Sequence, residues 1–167
     1  MSNVTYPPED CYELFCRYLY KYEELDETIS KASAKDQAIK EIVPGLAETL
    51  NNLLPTKSSF TTKEISKDDN KGRKEWSDEL QKRINDKDDS SDHVYLVKDY
   101  STILWSFLTY IRHAIAHAGV YENPDNSQEL ILTVMDIHKK KYRAYGKISK
   151  EKFKKILTAF VIEKSIL

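Results

Sequence analysis

The chain has 167 residues, of which 26 are Lys or Arg, 27 are Asp or Glu, and 40% are hydrophobic. This length is typical of one domain, residues 1–167, which can bury a core without disulfides or a structural metal. The N-terminus carries no signal-like segment, and the most apolar stretch, ILWSFLTYI, covers about half a membrane span. We therefore expect a cytoplasmic protein with no membrane partner, and not a secreted, membrane-spanning or fibrous one.

The two cysteines of the chain, Cys11 and Cys16, lie close together near its start. Five residues apart on one helix, their side chains point roughly 140° apart, which is too divergent for a disulfide between them. They are predicted to be reduced thiols in the core of a cytoplasmic protein.

The near-neutral net charge of −1 hides an asymmetry along the chain. Residues 9–27 hold seven acidic and two basic side chains, whereas residues 139–155 hold nine basic and one acidic. Tyr142, Tyr145 and Phe153 interleave with the basic residues, a pattern that can indicate a nucleic-acid interface. The charges alone favour the alternative, a solvated helix face that the acidic N-terminal helix neutralises.

Helical periodicity dominates the first third of the chain. One apolar stripe predicts a helix after Pro8, and it consists of Cys11, Phe15, Tyr18, Tyr22, Leu25 and Ile29. The same spacing runs from Ile39 to Leu53, where Pro44 removes a backbone donor and predicts a kink or restart. Residues 56–75 have no usable period, so they are predicted to form a long loop of the mobile or functional kind.

The apolar pattern returns in the second half. Trp76, Leu80 and Ile84 predict a short helix. A long helix follows between Val94 and Gly119, where glycine is well placed to end it. Its predicted core-facing stripe consists of Leu104, Phe107, Leu108, Ile111, Ile115 and Ala118.

The end of the chain combines strand and helix signals. The segments LILTVMDI and KYRAYGKI predict a short β-hairpin across a lysine-rich turn. Ser149 is placed to cap a last helix, with Ile148 and Phe153 as a hydrophobic staple. The buried side of this helix is predicted to be Phe153, Ile156, Leu157, Phe160 and Val161. The fold class expected from these elements is mainly α, a bundle of about five helices with one short β-hairpin before the last.

Several kinds of chemistry are excluded by their missing motifs. The sequence contains no GxGxxG, GxxxxGK[ST] or GxSxG pattern, and it has four glycines in all. His113 and His117 have the i, i+4 spacing of zinc ligands. However, Ala114 stands where a metalloprotease helix carries its glutamate, and the sequence offers no evident third ligand. No metal or other cofactor is therefore predicted.

The segment Arg112-His113-Ala114-Ile115-Ala116-His117 is the remaining candidate for chemistry. On an ideal helix His113 and His117 lie about 40° apart, on a polar face beside Ser106, Thr109 and Tyr110, whereas Arg112 lies roughly 140° from His117. Arg112 must then reach around the helix or meet His117 of a partner subunit. The structural alternative is a polar helix face on which His117 favours the helix dipole by roughly 0.3–1 kcal/mol.

The nine residues from Ile111 to Gly119, IRHAIAHAG, resemble the signature of the HEPN superfamily (higher eukaryotes and prokaryotes nucleotide-binding). In that signature an arginine, a polar residue directly after it and a histidine four to six residues beyond the arginine lie near the end of a long helix. The resemblance implies a compact HEPN-like helical bundle. Several small bacterial members follow the motif with a short β excursion and a final helix, as this chain is predicted to do.

The resemblance also implies a metal-independent endoribonuclease that acts as a homodimer, with the two motifs facing each other across the two-fold axis. Arg112 and His117 match the catalytic pair, and His113 occupies the polar position. Such chemistry suits these side chains, because histidine can take the proton of the RNA 2′-hydroxyl and arginine can stabilise the charge that develops on the phosphate. The products would be a 2′,3′-cyclic phosphate and a 5′-hydroxyl.

The lysine-rich turn follows the motif by about twenty residues. Lys139, Lys140, Lys141 and Arg143 are predicted to bind the RNA backbone beside the catalytic helix without reading its sequence.

The resemblance extends to toxins and phage-defence effectors, so a cognate antitoxin or regulator is a further expected kind of partner. One toxin subgroup carries a tyrosine two residues after the histidine, where this chain has Gly119. That difference argues against regulation by modification of such a tyrosine. The alternative to an enzyme is a non-catalytic HEPN-type module that dimerises or binds a protein or nucleotide.

Overall fold

The computed structural model of the chain describes residues 7–85, 91–98, 102–136, 138 and 140–162. A 3₁₀ turn at Glu9–Cys11 leads into the first helix. In chain order the elements are α1 (Tyr12–Ser30), α2 (Lys35–Ile42), α3 (Leu46–Leu53), α4 (Thr56–Ser59), β1 (Phe60–Lys63), α5 (Asn70–Asn85), β2 (His93–Val97), α6 (Ile103–Ala116), β3 (Val120–Asn123), β4 (Asn126–Asp136), β5 (Lys141–Ser149) and α7 (Lys150–Val161). None of the helices in these ranges is both long and apolar enough to cross a membrane.

A five-stranded mixed sheet organises the molecule, with the strand order β1-β2-β5-β4-β3. The pairing of β1 with β2 is parallel, and the other three pairings are antiparallel. The strands β4 and β5 form the long central hairpin, from Glu129 opposite Ser149 to Asp136 opposite Lys141. The turn of this hairpin lies at the same end of the sheet as Val97, which ends β2, and Val120, which begins β3.

Each face of the sheet packs against helices. On one face, aliphatic strand residues such as Leu96, Leu132 and Ile148 join the main core with the buried sides of α1, α3, α6 and α7. On the other face, Tyr95 and Tyr145 pack against Trp76 and Leu80 of α5 in a smaller cluster. The alternation of strand side chains between the two faces therefore fills two separate cores.

The fold is α/β, so the expected mainly α bundle of about five helices is wrong. The predicted hairpin is present, but it forms the middle of a larger sheet. The predicted helix between Val94 and Gly119 divides into β2 and α6. Because β2 has four successive buried residues, it carries no alternation that could distinguish it from a helix.

Of two other expectations, the loop is wrong and the pair of core thiols is half right. Residues 56–75 do not form one long loop, since they contain α4, β1 and the first turn of α5. Cys11 is fully buried and Cys16 is exposed, and neither is in a disulfide, so only Cys11 is a core thiol.

The remaining helix predictions are confirmed, except that Ala118 is exposed beyond the end of α6 and that the helix of Trp76, Leu80 and Ile84 is long, with 16 residues. The predicted stripe of the first helix is buried, and the helix between Ile39 and Leu53 breaks at Pro44 into α2 and α3. The Ser149 hydroxyl accepts a hydrogen bond from the Lys152 amide and so caps α7.

Candidate functional site at the end of helix α6

Helix α6 crosses the core and carries the candidate site on its last turns. The Thr102 hydroxyl caps its first turn by accepting from the Trp105 amide. The helix is buried almost all round, and Ser106, Thr109 and Tyr110 are 0%, 4% and 1% exposed. The predicted polar face beside the histidines is therefore interior. The residues of α6 that reach solvent lie at its two ends, Ile103 and Leu104 at the start and Arg112 onward, apart from the buried Ala114, at the other end.

The end of α6 turns sharply into β3. Ala118 has a positive φ of 56°, and the Gly119 amide donates back to the Ala114 carbonyl at 2.6 Å, as in a Schellman motif. Gly119 has to be a glycine, because a Cβ there would collide with the Thr133 carbonyl oxygen of β4. This close contact ties the end of α6 to the sheet end that carries the β4–β5 turn.

His113 and His117 lie side by side on this last turn. Their ring centroids are 6.4 Å apart and the ring planes are within 10° of parallel. His113 is half-buried and His117 is exposed. The pKa of His113 lies below its usual range, chiefly because burial disfavours the charged ring and secondly because Arg112 and His117 are close. The lowered pKa favours the neutral ring, which is the protonation state that a general base needs.

Arg112 points away from the two histidines, toward α1. Its Nε and Nη2 atoms both donate to Oε1 of Glu23, at 3.1 and 3.0 Å. The same side of α6 contacts α1 through Thr109, whose hydroxyl hydrogen-bonds with that of Tyr22. The predicted angular separation of Arg112 and His117 is therefore present, and within one chain the arginine and the histidine do not form one site.

The predicted basic surface divides into two parts. In the described part, Lys150 and Lys154 form ion pairs with Asp10, Lys152 with Asp92, and Lys155 with Glu151. The neutralisation of α7 by the acidic N-terminal region is thus confirmed for the two lysines that pair with Asp10.

The second part of the basic surface is the β4–β5 turn. Lys140 is exposed with a φ of 52°, whereas Lys141 and Arg143 are half-buried. Lys139 lies outside the described residues. The RNA-binding role of these four residues remains a prediction.

The described residues include no group of three or more His, Cys, Asp or Glu side chains that could hold a metal ion. The histidine pair of α6 thus has the spacing of two metal ligands without a third ligand in the described ranges.

A comparison of the chain with protein-family models, with curated proteins and with solved structures gave no match. The function of the α6 site is therefore argued from its own geometry.

Sequence reasoning missed Glu23 and Arg73. Glu23 was one of seven acidic residues near the N-terminus, and its distance of 89 residues from Arg112 hides the pairing. Arg73 belongs to the segment predicted as a loop, yet it lies beside Arg143 and lowers the pKa of that guanidinium, after the larger effect of burial. No local signal in the sequence indicates either contact, because both depend on the packing of distant elements.

Proposed function

We propose that this protein is a metal-independent endoribonuclease whose acid–base pair is His113 and His117. The observation that carries the proposal is the parallel pair of imidazoles at the solvent-reaching end of α6, 6.4 Å apart. Two imidazoles held next to each other can supply the base and the acid that RNA cleavage by the 2′-hydroxyl uses.

In the proposed reaction, neutral His113 takes the proton of the 2′-hydroxyl. The 2′-oxygen forms a bond to phosphorus, and the bond from phosphorus to the 5′-oxygen breaks. His117, the more exposed ring, gives a proton to the departing 5′-oxygen. The products are a 2′,3′-cyclic phosphate and a 5′-hydroxyl, so the step needs no metal and no oxidant.

Arg112 is the proposed cation that stabilises the charge on the phosphate oxygens. Since it faces α1 in its own chain, the proposal places it opposite His117 of the partner subunit in a two-fold homodimer. The side chain of Arg112 keeps 32% of its surface exposed, which leaves room for a contact across such an interface.

Cleavage of a single-stranded RNA in EDTA tests the acid–base pair. We expect His113→Ala and His117→Ala each to lower the rate by roughly 10²–10⁴-fold, the usual contribution of a positioned general acid or base. His93→Ala is the matched control, because His93 begins β2 at the opposite end of the sheet. Equal rates in the three variants would remove the pair from the mechanism, and loss of activity in EDTA alone would favour a metal enzyme.

Mixing two inactive variants tests the composite dimer. If Arg112 of one subunit and His117 of the other form each site, a mixed dimer of Arg112→Ala and His117→Ala contains one intact site out of two. Random exchange makes about half of the dimers mixed, so about a quarter of the parental activity should return. No recovery, or a monomeric mass in solution, would contradict this arrangement.

The second candidate function is a non-catalytic module that binds a protein or nucleotide. The observation that favours it is the pair between Arg112 and Glu23, which gives the arginine a role in joining α6 to α1. In that case the histidine variants have no RNA-cleavage rate to lower.

A further inference from the structure

A β-bulge in β5 gives Arg143 an unusual position. Val134 pairs with Ala144 and Met135 pairs with Tyr142, so Arg143 is the additional residue between them. Two side chains of α5 hold this bulge, since Trp76 Nε1 donates to the Arg143 carbonyl at 3.0 Å and Ser77 Oγ accepts from the Tyr142 amide at 2.9 Å. Bulges often redirect a side chain next to a functional site.

The bulge places the Arg143 guanidinium at the end of the sheet, between α5 and α6. Its Cζ atom lies 5.8 Å from the centroid of the Tyr110 ring. Tyr110 precedes His113 by three residues and His117 by seven, so all three lie on one side of α6, within roughly 10 Å along its axis. Arg143 therefore approaches α6 on the side that carries the proposed acid–base pair, whereas the Arg112 guanidinium faces α1.

A small cavity of about 20 Å³ opens beside this guanidinium. Arg73, Lys141 and Arg143 line it together with Trp76, and Asp136 is the acidic side chain among its described lining residues. Arg73 is held in place, because its Nε and Nη2 atoms donate to the carbonyls of Ser66 and Ile65 at 3.1 and 3.3 Å. The volume suits one oxygen atom, so a phosphate can insert an oxygen while its strand stays outside.

We infer that Arg73, Lys141 and Arg143 form a subsite for a phosphate of the RNA strand, on the side of α6 that carries the proposed acid–base pair. This inference rests on the proposed ribonuclease function and adds to it a binding element from α5. A phosphate oxygen between two guanidinium groups accepts charge-assisted hydrogen bonds from them. The chemistry identifies a phosphodiester and does not distinguish one base from another.

Binding of a fluorescent 2′-O-methyl oligoribonucleotide tests the subsite separately from cleavage, because this probe lacks the attacking hydroxyl. We expect Arg143→Gln and Arg73→Gln each to weaken binding by about tenfold or more, the usual contribution of hydrogen bonds to a charged group. The plot of log affinity against log salt should also flatten by about 0.7 for each phosphate that the variant no longer neutralises.

Lys74→Gln is the matched control, since Lys74 is exposed on α5 directly after Arg73 and the variant loses the same charge. It should change the affinity less than twofold. Lys141→Gln is a second test at a half-buried position, in case the arginine variants prove unfolded by thermal melting. An equal, small effect in all four variants would overturn the subsite and leave only general attraction between the protein and RNA.

Inorganic phosphate alone, followed by the fluorescence of Trp76 in a Trp105→Phe background, separates the two sources of the ligand. Saturation by phosphate with no effect of Arg143→Gln on oligonucleotide binding would indicate a site for free phosphate and overturn the inference. If the oligonucleotide result is as expected but the parent cleaves no RNA, the proposed ribonuclease fails and the phosphate subsite stands.

Discussion

At the scale of single residues, the pair of Arg112 and Glu23 decides how the proposed site can work. Two nitrogen donors of the guanidinium, Nε and Nη2, converge on one carboxylate oxygen, and the Glu23 side chain is 59% exposed. Exposed ion pairs typically contribute up to about 1 kcal/mol, because solvent screens them. A phosphate can therefore compete with Glu23 for this arginine.

Glu23→Gln should release Arg112 toward RNA. We expect affinity for the 2′-O-methyl oligonucleotide to rise about two- to tenfold, and the free energy of unfolding to fall by less than about 1 kcal/mol. Titration with the probe and urea unfolding measure the two quantities. Glu24→Gln controls for the loss of one exposed negative charge at the next position of α1, on a different side of the helix, where the carboxylate lies 4.0 Å from Lys21.

A large loss of stability with no gain in affinity would give Arg112 a structural role, as in the second candidate function. Glu23→Gln alone therefore distinguishes the proposed ribonuclease from the non-catalytic module.

At the scale of elements, the end of α6 is held in a conformation that its sequence does not favour. Ala118 occupies the left-handed position of the Schellman motif, where glycine is the usual residue. The L side chain costs roughly 1–2 kcal/mol in this conformation. Gly119 follows because β4 comes too close for a Cβ, so the glycine is one position later than the helix end requires.

Ala118→Gly should therefore stabilise the protein. The relief of strain exceeds the added freedom of the unfolded chain, and we expect a gain of roughly 0.5–1 kcal/mol in urea unfolding. Ala116→Gly is the matched control at the last residue of α6, where the backbone is helical and the same exchange should cost up to about 1 kcal/mol. Changes of the same sign at both positions would contradict the assigned helix end.

The elements also show what the sequence could predict. The apolar stripes of α1 and α7 and the hairpin of β4 and β5 follow from local patterns, and they are confirmed. The strands β1 and β2 are four and five residues long, and their pairing with each other and with β5 is a long-range property. Without β1 and β2 the sequence predicts an isolated hairpin on a helical bundle.

The candidate site likewise has features that the sequence predicts and features that it does not. The adjacency of His113 and His117 follows from helical spacing, and the angle to Arg112 follows from the same geometry. The partner of Arg112 on α1, the bulge at Arg143 and the neighbour on α5 depend on tertiary packing. A sequence motif therefore predicts which residues lie together on one helix, but not these contacts with other elements.

At the scale of the whole molecule, acidic side chains from the start of the chain form ion pairs with basic side chains from its end. Lys150, at the start of α7, pairs with Asp10 before α1 and with Glu122 on β3, at 3.2 and 2.6 Å. Lys154 adds a second contact to Asp10 at 2.7 Å. One cluster of charges thus joins the N-terminal turn, an edge strand and the last helix.

This link should make stability depend on pH through Asp10. The pKa of Asp10 is lowered, chiefly by its hydrogen bond with Lys154 and also by Lys150, although partial burial acts in the opposite direction. A carboxyl group with a lowered pKa stabilises the folded state above its unfolded pKa of about 3.9, and this contribution disappears as the pH falls through the folded pKa. Asp10→Asn should therefore reduce the free energy of unfolding at pH 6 and have a smaller effect at pH 2.5, which lies below the unfolded pKa, where this contribution is declining.

Urea unfolding of both proteins between pH 6 and pH 2.5 measures the difference. Glu13→Gln is the control, because Glu13 is exposed on the first turn of α1 and has no ion pair in the described part of the chain. Its effect should vary less with pH than that of Asp10→Asn. The difference in the free energy of unfolding between the parent and Asp10→Asn could instead stay constant over the whole pH range. That result would mean that the asparagine disturbs packing of the N-terminal turn and that ion pairs with α7 do not stabilise this turn.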